Sequence, residues 1–252
     1  MDKLQPKAVI FDLGSTLIEY EIIPWSEMNL YCANSARDYL IKEGHNVPDE
    51  KEFHRVYEEV KDRYRKTAVE TLVEWTVMQA AGDMLKGWHI KVNGDLLDRF
   101  FEAYYKPIGR KIFPYEDTLK TLEKVKQRYP VIGLVSNTIF PEGAHRQELK
   151  RFGIEPYLDF AVFSSTFGLR KPHPDIFYKA ANLAGYAPLE CVYIGDRYVE
   201  DVEGPARIGM PAILKLWNGR EYPDDMPEST RTITTLSELK VHLDLDDFSG
   251  RD

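Results

Sequence analysis

Five side chains of this sequence stand just beyond short apolar runs, and their types are those of nucleophile, charge-balancing and oxygen-holding chemistry. Asp12 follows the run Ala8-Val9-Ile10-Phe11 and opens Asp12-Leu13-Gly14-Ser15-Thr16. Ser136-Asn137-Thr138 follows the run 131–135, and Lys171-Pro172 comes a few residues after 160–163. Gly195-Asp196 and then Asp201 follow 191–194. A carboxylate is a weak nucleophile and attacks well only where the site neutralises charge. A lysine or a hard cation with oxygen ligands supplies that, and hydroxyl and amide donors grip oxygens that gain charge. Taken singly, each signal is weak. An Asp at a strand end serves equally as a helix N-cap, and Ser-Asn-Thr reads as an ordinary turn. Lys-Pro reads as a solvated loop, and Asp201 as a first-turn helix residue favoured by the dipole. The specific feature is the set in this order.

The elements that must position these groups have a clear rhythm. The runs at 8–11, 131–135, 160–163, 191–194 and 211–216 are nearly continuous in apolar residues, as strands buried on both faces are. Helical stretches at 116–128, 142–152, 174–184 and 200–208 lie between them, with Gly153 and Gly185 placed as helix C-caps. This βαβ alternation predicts an α/β fold with a parallel sheet covered on both sides. Ligands in such sheets bind beyond the carboxyl ends of the strands, where all five side chains fall. The stretch from 24 to 106 breaks the rhythm and reads as helices at 26–43, 49–66, 69–86 and 93–105. One crossover rarely needs more than one helix. The expectation is therefore a sheet domain of 1–20 and 107–252 interrupted by a helical insert of 21–106, with Pro107 as the return hinge.

Composition excludes other classes. The 252 residues carry 33 Lys and Arg against 41 Asp and Glu, a net charge of −8, which argues against a general nucleic-acid or anionic-membrane binder. Nine acidic and three basic residues fall in 221–252, so most of this charge belongs to a segment outside the clusters. No apolar run approaches a membrane span, and the N-terminus lacks a signal-peptide core. Cys32 and Cys191 are the only cysteines, which excludes a disulfide framework and makes the cytoplasm the simplest home.

The ordered clusters resemble the four motifs of the haloacid dehalogenase (HAD) superfamily: an apolar run with Asp-x-x-x-Thr, then Ser-Asn, then Lys-Pro, then Gly-Asp with a second Asp. The resemblance covers roughly 1–18 and 108–220. It implies a Rossmannoid three-layer sandwich, and the insert lies where the family's C1-type helical cap does. It also implies a Mg²⁺-dependent phosphohydrolase for a small phosphorylated metabolite. Asp12 would attack phosphorus to give an aspartyl phosphate, Ser136 and the amides near Asn137 would grip the phosphoryl oxygens, and Thr16 would position the loop. Lys171 would offset the negative charge and contact substrate. The metal ligands would be Asp12, the Gly14 carbonyl and Asp196, with Asp201 acting through water or holding Lys171.

The sequence departs from the pattern at one place. Phosphatases of the family usually carry a second Asp two residues after the nucleophile, as general acid and base; here it is Gly14, followed by Ser15 where Gly is usual. Such help contributes about 10²–10⁴-fold, so turnover is expected to be slow on alkyl phosphates and less impaired on acyl, enol or aryl phosphates. Glu19, Glu21 and His145 are the substitutes to test, Glu19 being nearest in sequence and read as an exposed carboxylate. Two other outcomes stay open: a HAD-fold protein that binds without turnover, and carbon–halogen hydrolysis by Asp12. In the insert, Trp25, Trp75, Trp88, Tyr104 and Tyr105, and the basic run 61–66, are pocket candidates, although such tryptophans are more often core and such a run is more often a solvated face. Substrate identity and oligomeric state are not encoded in any motif.

Overall fold

The computed structural model describes residues 2–22 and 24–246. In chain order the strands are β1 Ala8–Phe11, β2 Ile18–Glu19, β3 Phe113–Pro114, β4 Val131–Ser136, β5 Phe160–Phe163, β6 Cys191–Gly195, β7 Ala212–Lys215 and β8 Thr232–Ile233. The helices are α1 Trp25–Lys42, α2 Glu50–Thr71, α3 Val77–Gly87, α4 Gly94–Gly109, α5 Thr118–Arg128, α6 Glu142–Arg151, α7 Ser164–Phe167, α8 Pro174–Ala184 and α9 Gly204–Ala206. These elements form two compact units, one of Met1–Glu19, Phe113–Asn137 and Glu142–Asp252, the other of Tyr20–Ile112 and Thr138–Pro141.

The first unit is built on a six-stranded sheet of order β5-β4-β1-β6-β7-β8. Every neighbouring pair in it is parallel, giving the α/β Rossmannoid architecture. On one face Ala8, Ile10, Val135, Val162 and Tyr193 pack against Ile176, Phe177, Ala180 and Ala181 of α8. The alternate residues Val9, Phe11, Leu134, Val192 and Ile194 are equally buried, so the opposite face is covered too, which is why the strands lack polar alternation. Gly133 in β4 lies beneath the Phe160 ring, and any Cβ there would collide with it. His173 accepts from the Asp175 amide at 3.2 Å and caps α8. Gly185 ends that helix at φ 76°. The helix expected over 200–208 is instead a π-helical turn, Tyr198–Glu203, followed by α9. The segment 221–246 contributes β8 and a 3₁₀ turn, Leu236–Val241; the rest of the acidic segment, 247–252, lies outside the described residues.

The second unit is helical. The helix expected at 69–86 does not form as one piece. α2 continues to Thr71 and stops at Leu72, whose φ of 56° is left-handed. α3 begins after Thr76, where Thr76 and Gln79 make a reciprocal capping box. That Thr-x-x-Gln pattern satisfies orphan amides and starts a helix, and it overrides the apolar spacing across 69–76. Pro107, expected at the return hinge, sits inside the last turn of α4, which runs on to Gly109. A proline there forfeits one backbone hydrogen bond, and buried Ile108 anchors the turn. Tyr57 meets Phe100 and Tyr104 edge-on, Trp88 lies 5.1 Å from Phe53, and Trp75 stacks on Tyr64 at 5.7 Å. The basic run 61–66 is partly spent within α2: buried Lys61 pairs with Glu58, and Arg65 with Asp62. Among the described residues, no helix is long and apolar enough to cross a membrane.

Candidate active site

The sheet order places the ends of β4, β1 and β6 side by side. β1 pairs with β4 and β6 in registers that set Phe11 beside Leu134 and Ile194. The next residue, Asp12, donates its amide to the Ile194 carbonyl at 2.8 Å. Asp12 and Gly195-Asp196 therefore emerge together, next to Ser136 at the end of β4. The chain runs outward through β4 and β5 on one side of β1 and through β6, β7 and β8 on the other. Such a reversal opens a crevice at the carboxyl ends of the strands.

Lys171 is the centre of the cluster. It is 2% exposed, and its Nζ donates to Asp12 Oδ1 at 2.6 Å, to Asp201 Oδ1 at 2.6 Å and to the Tyr193 hydroxyl at 2.9 Å. All three donors of the ammonium are used. Burial works against the charge, but Asp12 and Asp201 outweigh it and hold the Lys171 pKa well above the ordinary lysine value. Asn137 orders the turn that carries this lysine: its side chain donates to the Lys171 carbonyl at 2.9 Å and accepts from the Lys171 amide at 2.7 Å. The Asn137 side chain is thus committed to the lysine backbone. Thr16 Oγ1 stands 3.4 Å from Asp12 Oδ2. Ser136 is buried at the end of β4, its hydroxyl 3.5 Å from the Asn137 carbonyl.

Three carboxylates converge. Oxygens of Asp12, Asp196 and Asp201 lie within 4.8 Å of one another, all buried. Burial pushes the Asp12 carboxyl up, and Asp201 adds to this while Lys171 opposes it. Asp196 is pushed up to about 7, by burial first and then by Asp12 and Asp201, against Arg220 and Arg197. Asp201 is satisfied, since its second oxygen accepts from the Arg197 amide at 2.8 Å. Asp196 is not. Arg220 Nη2 is 2.6 Å from its Oδ2 as an ion pair, but the angles miss those of a hydrogen bond, and neither Asp196 oxygen accepts one. A buried carboxylate that accepts no hydrogen bond and lies beside two others is costly even with an ion-pair partner, and hard oxygen donors are what Mg²⁺ takes. These residues fit such an ion.

The remaining candidates are elsewhere. Gly14 bridges to Ile18 in the turn after Asp12. Glu19 is not an exposed carboxylate: it is buried and accepts from Tyr115 at 2.6 Å and from the Trp217 indole at 3.0 Å, because β2 pairs with β3 and tucks its side chain inward. His145 is buried, with Nδ1 2.8 Å from Glu148 Oε2 and its ring stacked on Phe163. Sequence reasoning misses Tyr193 and Arg220 and gives no role to Gly195 or Lys215. Tyr193 takes the third proton of Lys171 and passes its own to the Val135 carbonyl at 2.8 Å. Gly195 has no Cβ because one would strike the Asp201 carboxyl. Arg220 faces Asp196, and Lys215 donates to the Ser15 carbonyl at 2.8 Å. Gly195 and Lys215 each have a signal in the sequence, the Gly-Asp pair and a charge inside the apolar run 211–216.

Comparison with known proteins places the chain in a family. The model of the haloacid dehalogenase-like hydrolase family matches residues 6–209. A glyceraldehyde 3-phosphate phosphatase of Methanocaldococcus jannaschii is 25% identical over 233 residues, 92% of this chain and 95% of the relative. A phosphoglycolate phosphatase of Xylella fastidiosa is 31% identical over 130 residues, which is 52% of this chain and 56% of that protein. Among solved structures, a HAD phosphatase from Thermococcus onnurineus matches with a TM-score of 0.62 and 26% identity over 93% of this chain and 96% of that one. A 2-haloacid dehalogenase from Pseudomonas syringae matches with a TM-score of 0.70 and 22% identity, covering 94% and 97%, a likeness of fold.

Proposed function

The chain belongs to the haloacid dehalogenase-like hydrolase family, and from that premise we propose that it hydrolyses the phosphate of a small phosphorylated metabolite through Asp12. The observation that carries this reading is Lys171 bridging Asp12 and Asp201 at 2.6 Å each, beside an Asp196 whose buried oxygens accept no hydrogen bond. An Asp12 oxygen attacks phosphorus, the bond from phosphorus to the leaving oxygen breaks, and an aspartyl phosphate results. Water then attacks that phosphorus, releasing phosphate and restoring the carboxylate. Lys171 holds Asp12 in place and balances its charge, and Asp201 holds Lys171. Ser136 and the backbone amides beside Asn137 grip the phosphoryl oxygens. Asp12, Asp196 and the Gly14 carbonyl are the ligands for Mg²⁺, with Asp201 behind them; when bound, the ion neutralises charge on the phosphoryl group. The side chain at 14 donates no proton to the leaving oxygen. Two buried free thiols accord with a reducing cytoplasm.

The named relatives make glyceraldehyde 3-phosphate and phosphoglycolate the first substrates to try. The test is a phosphate-release screen of these with acetyl phosphate, p-nitrophenyl phosphate and sugar phosphates, in Mg²⁺ and in EDTA, beside Asp12→Asn. Metal-dependent release that Asp12→Asn abolishes is expected, with acyl and aryl phosphates ahead of alkyl ones. No release from any ester or anhydride would overturn the reading in favour of a binding protein. Halide release from 2-haloacids without metal would overturn it in favour of dehalogenation.

A further inference from the structure

Lys215, the last residue of β7, takes part in no step above. We infer that Lys215 is a positioning residue for the nucleophile loop: its ammonium holds the Ser15 carbonyl, and with it the left-handed turn that aims Asp12 and Gly14. The inference rests on the proposed chemistry at Asp12.

Ser15 has φ 57° and is 1% exposed. For a residue other than glycine that region is strained by contact between Cβ and the backbone, so it persists only where neighbours enforce it. The Ser15 amide donates to the Ile18 carbonyl at 2.8 Å, and its carbonyl accepts from Lys215 Nζ at 2.8 Å. The loop is thereby pinned twice, at Asp12 onto β6 and at Ser15 onto β7, with Gly14 between. The seat of the ammonium is itself built. Nζ lies 3.8 Å from the centre of the Tyr115 ring, a cation–π contact. Tyr115 is fixed by its hydroxyl to Glu19, and Glu19 by the Trp217 indole.

Packing does not explain the residue. Lys215 is 3% exposed, and no carboxylate lies within ion-pair distance of it among the described residues. One hydrogen bond and one ring contact leave two of its three donors unspent. Burial accordingly lowers its pKa, against the pull of Asp196, Asp117, Glu19 and Asp12. A buried charge without a paired partner costs more than an apolar side chain of similar shape, so methionine would suit the end of the strand better. The lysine serves the loop at the expense of the fold.

The test is a double-mutant cycle on the full chain with Lys215→Met and Ser15→Gly. Two readouts are taken: thermal unfolding, and kcat and KM for p-nitrophenyl phosphate with Mg²⁺. Ser15→Gly should raise Tm when Lys215 is present and should not raise it in the Lys215→Met background, where the serine has left the strained turn. Lys215→Met should lower kcat about tenfold or more while KM moves less than about threefold. Adding Ser15→Gly should restore most of that loss, since glycine takes the turn unaided. Additive Tm shifts, a kcat loss that Ser15→Gly leaves untouched, or a loss carried by KM would each overturn the inference. Lys215→Leu runs the same cycle should the methionine variant not fold, and failure of both to fold would overturn it by making the lysine a structural requirement. A wild-type chain that turns over no phosphate sinks the phosphatase reading instead, and the Tm cycle still decides the role of Lys215.

Discussion

Gly14, two residues after Asp12, puts no side chain into the loop, and the residues around it set what the site can do. Glu19 and His145 are each buried and held by partners of their own. Gly14→Asp is therefore expected to speed turnover of alkyl phosphates, by about 10²-fold where protonation of the leaving oxygen limits the rate. Gly14 lies outside the left-handed region, so the backbone admits the change. An unchanged rate in steady-state assays, with the fold intact, would show that another group supplies the proton. Gly195→Ala acts through space alone: the new methyl must displace the Asp201 carboxyl, loosening Lys171. Its expected cost is about 1–3 kcal/mol of stability, read by denaturant titration, with a fall in kcat beyond that of a remote overpacking variant.

At the level of elements, the strands are legible because burial on both faces writes them as apolar runs, and β1, β4, β5, β6 and β7 lie where those runs do. Helix boundaries are less legible. Apolar spacing carries through 72–76, whereas backbone groups at Leu72 and Thr76 decide the break. Thr76→Ala removes the capping box of α3 and should cost about 1 kcal/mol in denaturant titration. The turn that delivers Asp201 is illegible for another reason: the Asp201 amide bonds the Arg197 carbonyl as the chain enters a π-helical turn, Tyr198–Glu203, and residue types do not encode that. Asp159 ties β5 to its neighbours, accepting from Lys126 at 2.7 Å and from the Ile132 amide at 2.8 Å. Burial opposes its ionisation, but these two partners prevail and lower its pKa. A carboxyl lowered on folding adds stability that is fully present above its unfolded pKa and lost as pH falls through the folded one. The Tm gap between the chain and Asp159→Asn should thus be constant near neutral pH and close below about pH 4. A gap that survives at about pH 2 would assign the loss to packing.

Across the whole molecule, the five side chains first picked out by spacing lie at the carboxyl ends of strands or in the segments between those ends and the next long helix or strand. Four of them, Asp12, Lys171, Asp196 and Asp201, are in one buried cluster. They are legible because each closes a run or follows one within a few residues. Tyr193 and Arg220 are not, since they matter through contacts between distant segments that no local pattern records. Both thiols are buried, with pKa pushed up to about 12 at Cys32 and about 11 at Cys191. Iodoacetamide at about pH 8 should leave both unmodified in the folded chain and label both in urea. The measurement that bears most directly on the central claim traps the phosphoryl group. The chain is mixed with acetyl phosphate and Mg²⁺, quenched in acid, reduced with borohydride and sequenced by mass spectrometry. Reduction of an aspartyl phosphate leaves homoserine, and homoserine at position 12, absent without acetyl phosphate, is the result predicted. Phosphate release with Asp12 unmodified at every quench time, or homoserine at another carboxylate, would contradict it.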